Sequence, residues 1–467
     1  MASKTKNIIL IATAIIISIG SSFGKTNKSY KIIDGIIEFN EPVREKGQKS
    51  VLGLRTAPMD TVRVGFIGLG MRGPGAVERF THIDSIKVVA LCDLYPDRIE
   101  KSQNILDNAG LPRAATYSGE EGWKELCQRD DIDLVYIATP WLHHTPMAVY
   151  AMEHGKHVAV EVPAAMSIEE CWKLVDTAER MQRHCMMLEN CVYDLFELTT
   201  LNMAQQGVFG DIIYAEGAYI HNLDDFWTSY QGNWRLDYNQ KNRGDNYPTH
   251  GIGPICQALN IHRGDKMNYL VSMDTKSING LATAKKIMKV DKFADGDHTV
   301  TLIRTNNNKM MQIQHNVYTP RPYNRLYQLT GTEGFANKYP IEGYVVGKEI
   351  TNKNIASKYD NLEGHEFVPE AVRVELMERY KHPITKKLEN IASKVGGHGG
   401  MDFIMDYRMI YCLKNGLPLD QDVYDAAEWS CLTELSGASI ENGSAQVKVP
   451  DFTRGDWNKI NGLKLAE

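Results

Sequence analysis

The sequence predicts an α/β protein in which a doubly wound parallel sheet is followed by an α+β domain with a largely antiparallel sheet. Between residues 62 and 190, short apolar runs alternate with amphipathic helical segments, which is the pattern of parallel strands joined by right-handed crossovers. From residue 212 to about 346, strand-like runs dominate, and polar turn sequences such as Thr305-Asn306-Asn307-Asn308 separate them. The second half of the chain is therefore predicted to form hairpins rather than strand–helix–strand units.

The first domain is predicted to span residues 61–190. Its apolar runs predict strands at Val62–Ile67, Ile86–Cys92, Leu134–Ala138, His157–Val160 and Cys185–Leu188. The intervening segments predict helices at Pro96–Ala109, Gly119–Gln128, Pro146–His154 and Ile168–Gln182. Ligands of such sheets bind beyond the carboxyl ends of the strands, so the residues that follow each strand form the candidate site.

The first predicted strand runs directly into a glycine-rich turn, Gly68-Leu69-Gly70-Met71-Arg72-Gly73. In a Rossmann dinucleotide-binding fold, such glycines permit the turn, let the backbone approach a pyrophosphate and let the helix pack on the strand. Asp93 ends the second strand about 20 residues later, where an acid reaches the adenosine ribose. An acid here repels the 2′-phosphate of NADP, although Arg98 nearby could attract it. We therefore predict NAD, bound by Gly68, Gly70, Met71, Arg72, Gly73 and Asp93.

The residues after the later strands complete the predicted cofactor site. Adjacent His143 and His144 would point in opposite directions from an extended chain, and no third ligand follows at metal spacing, so we predict no metal. A loop that lines the nicotinamide is the favoured interpretation. The further predicted cofactor ligands are Trp141, Leu142, His143, His144, Glu161, Val162 and Asn190.

Residues 1–24 predict a Sec-type signal peptide, because Lys4 and Lys6 precede an apolar run and Ser22-Phe23-Gly24 offers small residues for cleavage. The alternative is an N-terminal membrane anchor of similar sequence. We expect a periplasmic or secreted protein with no stable membrane anchor after cleavage. Residues 25–60 are polar and mixed, and are predicted to form an arm or linker.

Composition and length set further limits. The net charge of −6, with no basic stripe, argues against a nucleic-acid partner. The 467 residues allow two or three domains. We assign residues 191–400 to a substrate-binding sheet domain, with strands at Ile212–Tyr219, Thr299–Arg304, Met310–Tyr318 and Leu326–Thr330. Residues 401–467 should form helices that pack back on the first domain, at Asp402–Lys414 and Tyr424–Ser436.

These motifs together resemble the Gfo/Idh/MocA oxidoreductase superfamily. A closer resemblance is to glycoside hydrolase family 109, the NAD-dependent α-N-acetylgalactosaminidases. It rests on Thr139-Pro140-Trp141, Glu161-Val162-Pro163-Ala164-Ala165-Met166, Glu189-Asn190, Asn246-Tyr247-Pro248-Thr249-His250 and Pro320-Arg321-Pro322-Tyr323-Asn324-Arg325. Sugar dehydrogenases of the superfamily have Glu-Lys-Pro where this chain has Glu161-Val162-Pro163. Valine transfers no proton, so a simple dehydrogenase is disfavoured and another base is needed.

The resemblance implies a redox-neutral hydrolysis of terminal α-linked N-acetylgalactosamine. The sugar would be oxidised at C3 by hydride transfer to NAD, lose its C2 proton, expel the C1 substituent, take up water at C1 and be reduced again. No pair of catalytic carboxylates is needed, unlike in most glycosidases. The predicted catalytic residues are His250 and Tyr323, with Arg321 or Arg325 lowering the pKa of the tyrosine. The predicted sugar ligands are Tyr219, Arg235, Tyr247, Pro248, Thr249, His250 and Tyr323.

Two other functions stay open from the sequence. The first is an NAD-dependent sugar oxidoreductase with net redox turnover, which Val162 disfavours and which an exported protein could not sustain without a pool of NAD. The second is a non-catalytic NAD- or sugar-binding protein, for which the retained His250 and Tyr323 would have no purpose. The resemblance also implies a homo-oligomer. His398, within Gly396-Gly397-His398-Gly399-Gly400, is interpreted as the flexible lead into a helix.

Overall fold

The structure, a computed structural model, describes residues 29–347, 349–350 and 364–465. The predicted signal peptide at residues 1–24 lies outside these described residues. Within them, the chain forms two β-sheets with helices packed around both. The search of the described residues for a helix long and apolar enough to cross a membrane finds none.

The N-terminal arm is not a linker, because it forms a hairpin of two strands. These are β1 (Tyr30–Ile33) and β2 (Ile36–Phe39), and they pair in antiparallel register. Ile37 and Phe39 alternate inward with outward-facing neighbours, a strand pattern that four residues were too few to reveal in the sequence. Beyond the hairpin, the Arg44 guanidinium lies 2.9 Å from the Glu179 carboxylate, which ties the arm to the first domain.

The first sheet is parallel throughout, as predicted. Its strands are β3 (Val62–Ile67), β4 (Ile86–Asp93), β5 (Ala115–Ser118), β6 (Leu134–Ile137), β7 (His157–Val160) and β8 (Cys185–Met187). They lie in the order β5-β4-β3-β6-β7-β8. Between them run α1 (Gly73–Phe80), α2 (Pro96–Asn108), α3 (Gly122–Cys127), α4 (His144–Glu153) and α5 (Ile168–Met181). The edge strand β5 was not predicted, because it is half-exposed and lacks an apolar run.

The second sheet is largely antiparallel, which confirms the predicted fold class. Its further strands are β9 (Ile212–Ile220), β10 (Met267–Asp274), β11 (Thr299–Thr305), β12 (Met310–Asn316), β13 (Tyr327–Gly331), β14 (Gly334–Asn337), β15 (Gly343–Val346) and β16 (Val447–Lys448). The order is β1-β2-β16-β10-β11-β12-β9-β13-β14-β15, with parallel pairing between β12 and β9 and between β16 and β2. The sheet therefore extends beyond residues 191–400, since the hairpin and β16 belong to it.

Helices are more abundant in the second half than predicted. They are α6 (Leu195–Gln205), α7 (Trp234–Lys241), α8 (Thr249–Ala258), α9 (Asn279–Met288), α10 (Glu370–Arg379), α11 (Pro383–Val395), α12 (Met401–Asn415), α13 (Val423–Ser430) and α14 (Leu432–Glu441). Helix α8 lies very close to β9, because a Cβ on Gly217 would come within 1.9 Å of the Gly251 carbonyl oxygen. This close approach brings His250 on α8 beside Tyr219 on β9.

The C-terminal helices lie against the first domain. The Arg79 Nε on α1 donates to the Asp406 carboxylate on α12 at 2.7 Å. The Ala164 backbone N–H donates to the Ser430 hydroxyl on α13 at 3.1 Å. The fixed position of α12 matters for the site, because α12 begins at the glycine-rich segment that carries His398. All eight cysteines are buried thiols.

Candidate active site

A cleft of about 1140 Å³ lies at the carboxyl ends of the parallel strands, where the first domain meets the second. The first domain contributes the glycine-rich turn and the residues that follow β4, β6 and β7. The second domain contributes an aromatic wall with one arginine, Tyr230, Trp234, Arg235 and Tyr247. The cleft thus brings most of the predicted cofactor residues together with two of the predicted sugar ligands, Arg235 and Tyr247.

The glycine-rich turn has the geometry that a dinucleotide requires. Gly68 adopts a φ of +91°, and a Cβ there would lie 2.6 Å from the Ala138 carbonyl oxygen. A Cβ on Gly73 would lie 2.0 Å from the Gly68 carbonyl oxygen, so neither position accepts a side chain. Helix α1 begins with no side-chain cap, which leaves its first N–H groups to a bound phosphate.

Asp93 lies where the adenosine ribose would be bound. Its carboxylate accepts hydrogen bonds from the backbone N–H groups of Leu69, at 2.7 Å, and Tyr95, at 3.0 Å. The Arg98 guanidinium is 3.5 Å from the same carboxylate and stacks over the Tyr95 ring at 4.7 Å. A buried acid bonded to the glycine-rich turn fits NAD, and the ion pair with Asp93 restrains the arginine that could have favoured NADP.

Arg72 connects the glycine-rich turn to the C-terminal helices. Its guanidinium lies 3.2 Å from Glu161 and 3.1 Å from Asp402 at the start of α12, while Met71 is half-exposed on the turn. The sequence predicts Arg72 as a ligand of NAD. In the structure, its charge is balanced by two carboxylates, and any contact with phosphate would come from the backbone N–H.

The four predicted cofactor ligands in the segment after β6 differ in burial and contacts. Trp141 is buried, donates from Nε1 to the Val162 carbonyl at 3.2 Å and stacks on Tyr247 with ring centroids 5.7 Å apart. Both ring nitrogens of His144 lie 2.7 Å from backbone carbonyl oxygens, so this histidine holds the loop in place. His143 lines the cleft, whereas the side chain of Leu142 is 60% exposed and does not line it.

His250 is oriented by a buried carboxylate. Its Nδ1 lies 2.8 Å from the Oε1 atom of Glu189, whose side chain is fully buried. Burial alone would raise the pKa of Glu189, but the imidazole of His250 and the Cys191 N–H hold it below its ordinary value. An ionised carboxylate only accepts, so Nδ1 carries the hydrogen, and in the neutral imidazole Nε2 presents a lone pair. This is the arrangement of a general base, and its partner Glu189, although part of a motif, was assigned no role from the sequence.

Cys191 completes a group that has metal-like spacing, since its sulfur and one ligand atom from each of Glu189 and His250 lie within 4.8 Å of one another. Two observations disfavour a metal here. Burial raises the pKa of the Cys191 thiol well above its ordinary value, which keeps the sulfur protonated. The Arg325 guanidinium lies 2.9 Å from that sulfur and would repel a cation.

Arg235 is an unusual element of the cleft, because it is only 5% exposed yet incompletely paired. Its guanidinium lies over the rings of Tyr247, at 4.4 Å, and Trp141, at 5.0 Å. Nη1 donates to the Tyr230 hydroxyl at 2.9 Å, while Nε and Nη2 have no hydrogen-bond partner among the described residues. Arg235 lines the cleft and has two buried donors without a hydrogen-bond partner among the described residues, which makes it a candidate to bind the acceptor groups of a ligand.

The remaining predicted sugar ligands surround His250. Tyr219 and Tyr247 place their rings 5.3 Å and 5.0 Å from the imidazole, and the Tyr219 hydroxyl lies 3.0 Å from Nδ1 of His221. Pro248 precedes α8 and Thr249 is its first residue, fully buried, with a hydroxyl that has no partner among the described residues. These two residues therefore set the position of the helix end that carries His250.

Tyr323 lies at the rim of this group and is 41% exposed. Its ring meets that of His221 edge-on at 4.9 Å, and the Arg325 guanidinium lies over it at 5.5 Å. Burial raises the pKa of Tyr323 above its ordinary value even though Arg325 acts in the opposite direction. Arg325 thus acts on this pKa in the predicted direction, but burial outweighs it, and the phenol remains a protonated hydrogen-bond donor.

Asp402 is a second residue that sequence reasoning missed. Its carboxylate accepts from the Asn190 amide at 2.6 Å and from Arg72 at 3.1 Å, and lies 3.0 Å from Nδ1 of His398. Although burial opposes ionisation, His398 and Arg72 hold the pKa of Asp402 well below its ordinary value. The amide of Asn190, predicted as a cofactor ligand, is thus already engaged. His398 leads into α12 as expected, and its Nδ1 also lies 3.5 Å from the Arg72 guanidinium.

Comparisons with known proteins identify the family of the chain. Residues 193–459 match the model of the C-terminal domain of glycosyl hydrolase 109, and residues 62–189 match the NAD-binding Rossmann-fold oxidoreductase family. Proteins named glycosyl hydrolase family 109 protein 1 from Bacteroides fragilis and Bacteroides thetaiotaomicron are 63% and 62% identical over 433 residues. Each of these alignments covers 92% of this chain and 93% of the relative.

Among solved structures, a levoglucosan dehydrogenase in complex with NADH and levoglucosan superposes with a TM-score of 0.62 at 17% identity, covering 84% of this chain and all of that one. An apo scyllo-inositol dehydrogenase from Lactobacillus casei superposes with a TM-score of 0.57 at 14% identity, covering 84% and 99%. These two similarities show the shared fold. The family models and the similar sequences establish that the chain belongs to glycosyl hydrolase family 109 and is an enzyme with an NAD-binding Rossmann domain.

Proposed function

We propose that this enzyme hydrolyses terminal α-linked N-acetylgalactosamine without net redox change. Bound NAD would supply a hydride acceptor at C3 of the sugar and return the hydride at the end of each turnover. The observation that carries the proposal is the pairing of His250 with Glu189. The pair lies beside a cleft that is lined by Val162, in the turn that follows β7. A base is present, but it does not stand where simple sugar dehydrogenases of the superfamily have their lysine.

The proton transfers are assigned to two residues. His250 accepts a proton at Nε2, and Glu189 stabilises the imidazolium that results, because its carboxylate is buried and 2.8 Å away. Tyr323 donates a hydrogen bond to the sugar from a phenol that stays neutral. His398 is a further candidate for proton donation near the cofactor, since Asp402 orients its Nδ1 in the same way.

Sugar binding is assigned to the aromatic wall and to Arg235. The two unpartnered guanidinium donors suit the acetamido carbonyl or ring hydroxyls of the sugar. The rings of Tyr219, Tyr247 and Trp234 suit the apolar face of a pyranose. N-acetylgalactosamine itself is proposed from the family resemblance rather than from these contacts.

We further propose that the protein is exported through its N-terminal 24 residues and acts as a homo-oligomer in the periplasm or outside the cell. One face of the second sheet supports the oligomer. Met273, Leu302 and Met310 lie on one face of neighbouring strands β10, β11 and β12 and are between 38% and 68% exposed. An apolar sheet face of this kind is a typical subunit interface.

The test uses residues 25–467 loaded with NAD and p-nitrophenyl α-N-acetylgalactosaminide. Nitrophenol release and nicotinamide absorbance are followed in the same cuvette. The expected result is many turnovers of nitrophenol with no accumulation of NADH, and loss of nitrophenol release in His250→Ala. Accumulation of NADH in step with substrate would instead support a sugar oxidoreductase with net redox turnover.

A further inference from the structure

A hydrogen bond between the two domains crosses the cleft at the end where Asp93 lies. The Arg98 guanidinium, on α2 of the first domain, donates from Nη2 to the side-chain oxygen of Gln231 in the second domain. Its Nη1 lies 3.5 Å from the Asp93 carboxylate, and a Cβ on Gly70 would come within 3.3 Å of the same nitrogen. Arg98 therefore lies against the glycine-rich turn and joins it to the opposite wall of the cleft.

Gln231 belongs to a segment of the second domain, residues 227–233, that we call the clasp segment. It consists of two short 3-10 turns. Its tip, residues 229–232, lines the cleft, and Gln231 is exposed to solvent there. At its base, the Trp227 ring is 1% exposed and stacks on Tyr318 with ring centroids 5.5 Å apart. The segment is thus fixed to the second domain at its base, while its tip reaches the first domain through Gln231.

The chemistry of this contact suits a place beside an anionic cofactor. A guanidinium only donates, so Gln231 presents its amide oxygen to Arg98. A carboxylate in the same place would also accept from Arg98, but it would repel the pyrophosphate of a dinucleotide. The neutral amide therefore holds the arginine without adding negative charge to a cleft that already contains the Asp93 carboxylate.

We propose that Gln231 and Arg98 act as a clasp that retains NAD, and that their hydrogen bond must open before the cofactor can leave. Both residues line the cleft that contains Asp93 and the glycine-rich turn, so the clasp joins the two walls between which NAD would be held. The inference rests on the proposed function, because a cycle that returns NAD to its oxidised form needs no exchange of cofactor between turnovers. An oxidoreductase with net redox turnover has to release NADH in every cycle, and a clasp would slow it.

The experiment measures how fast NAD dissociates in the absence of any glycoside. Wild type, Gln231→Ala, Arg98→Ala and the double variant are loaded with radiolabelled NAD and chased with excess unlabelled NAD. Thr228→Ala is the matched control, because Thr228 is an exposed residue of the clasp segment outside the lining of the cleft. We expect Gln231→Ala to release NAD about ten-fold faster, as for the loss of one hydrogen bond to a charged group. Thr228→Ala should match wild type, and Gln231→Ala should have no further effect once Arg98 is replaced.

A dissociation rate in Gln231→Ala within about two-fold of wild type would overturn the clasp, as would an equal acceleration in the Arg98→Ala background. A second readout is chymotrypsin cleavage after Phe226, which adjoins the clasp segment and is 43% exposed. Saturating NAD should slow this cleavage in wild type and in Thr228→Ala, and should protect Gln231→Ala less. Equal protection of all three proteins would refute the proposal. Because no glycoside is present, these results are independent of nitrophenol release, whose absence would contradict the proposed function alone.

Discussion

Replacing Glu189 with glutamine tests the assignment of His250 as the base. The substitution keeps the side-chain shape but removes the charge that lies 2.8 Å from Nδ1 of His250. A hydrogen bond to a charged group contributes about 1.5–3 kcal/mol, and 1.4 kcal/mol is a factor of ten, so kcat should fall about 10- to 100-fold. If the new amide turns its nitrogen toward Nδ1, the imidazole adopts the wrong tautomer, and the loss would approach the factor of about 10⁴ known for the corresponding change in serine proteases.

The assay is nitrophenol release at saturating aryl glycoside, with bound NAD measured on the same samples. Glu179→Gln is the matched control, since Glu179 is equally buried but pairs with Arg44 and Arg454 outside the cleft. That control should lose stability while keeping kcat. A Glu189→Gln enzyme that is folded, holds NAD and keeps kcat within three-fold or so of wild type would refute the reasoning.

Three further outcomes are expected. Gly73→Ala should purify without NAD, as measured by absorbance after denaturation, because its Cβ would lie 2.0 Å from the Gly68 carbonyl oxygen; retention of stoichiometric NAD would contradict this. Tyr323→Phe should lower kcat/KM about ten-fold and leave the shape of the pH–rate profile unchanged, since the phenol donates a hydrogen bond and does not ionise. Burial opposes the charge of His262, but Glu428 at 2.6 Å raises its pKa from 6.5 to about 9. The resulting stabilisation, roughly 3 kcal/mol at most, is complete below pH 6.5 and is lost as pH rises through about 9. The thermal unfolding midpoint should therefore drop between pH 7 and about pH 10 in wild type and less in Glu428→Gln, and parallel drops would argue against the pair.

Most of the fold could be predicted from the sequence, because buried parallel strands appear in it as continuous apolar runs. Val62–Ile67 and His157–Val160 were predicted with the bounds that the structure shows. Strands β14 and β15 escaped prediction because each begins with a glycine and has at most three apolar residues in a row, and β10 because its apolar residues do not alternate clearly. Helices α7 to α9 were missed because the surrounding strand pattern suggested a continuous sheet.

Only part of the candidate site could be predicted from the sequence. The glycine-rich turn and Asp93 lie within one strand–helix–strand unit, so their spacing in sequence fixes their spacing in the fold. Glu189 and His250 come from different domains, and Asp402 meets Arg72 across more than three hundred positions of the chain. No local pattern encodes such contacts. Leu142 shows the opposite error, since its place in a motif suggested a contact that its exposed side chain does not make.

The N-terminal hairpin has a consequence for how the protein reaches its working form. Ile37 of β2 pairs with Val447 of β16, and β16 in turn connects the hairpin to β10. Strands far apart in the sequence thus complete one edge of the second sheet, and that edge cannot assemble before Val447 has been synthesised. Contacts at such sequence separation form slowly, because loop-closure entropy must be overcome first. Until β16 has emerged from the ribosome, the nascent hairpin has no strand to connect it to β10.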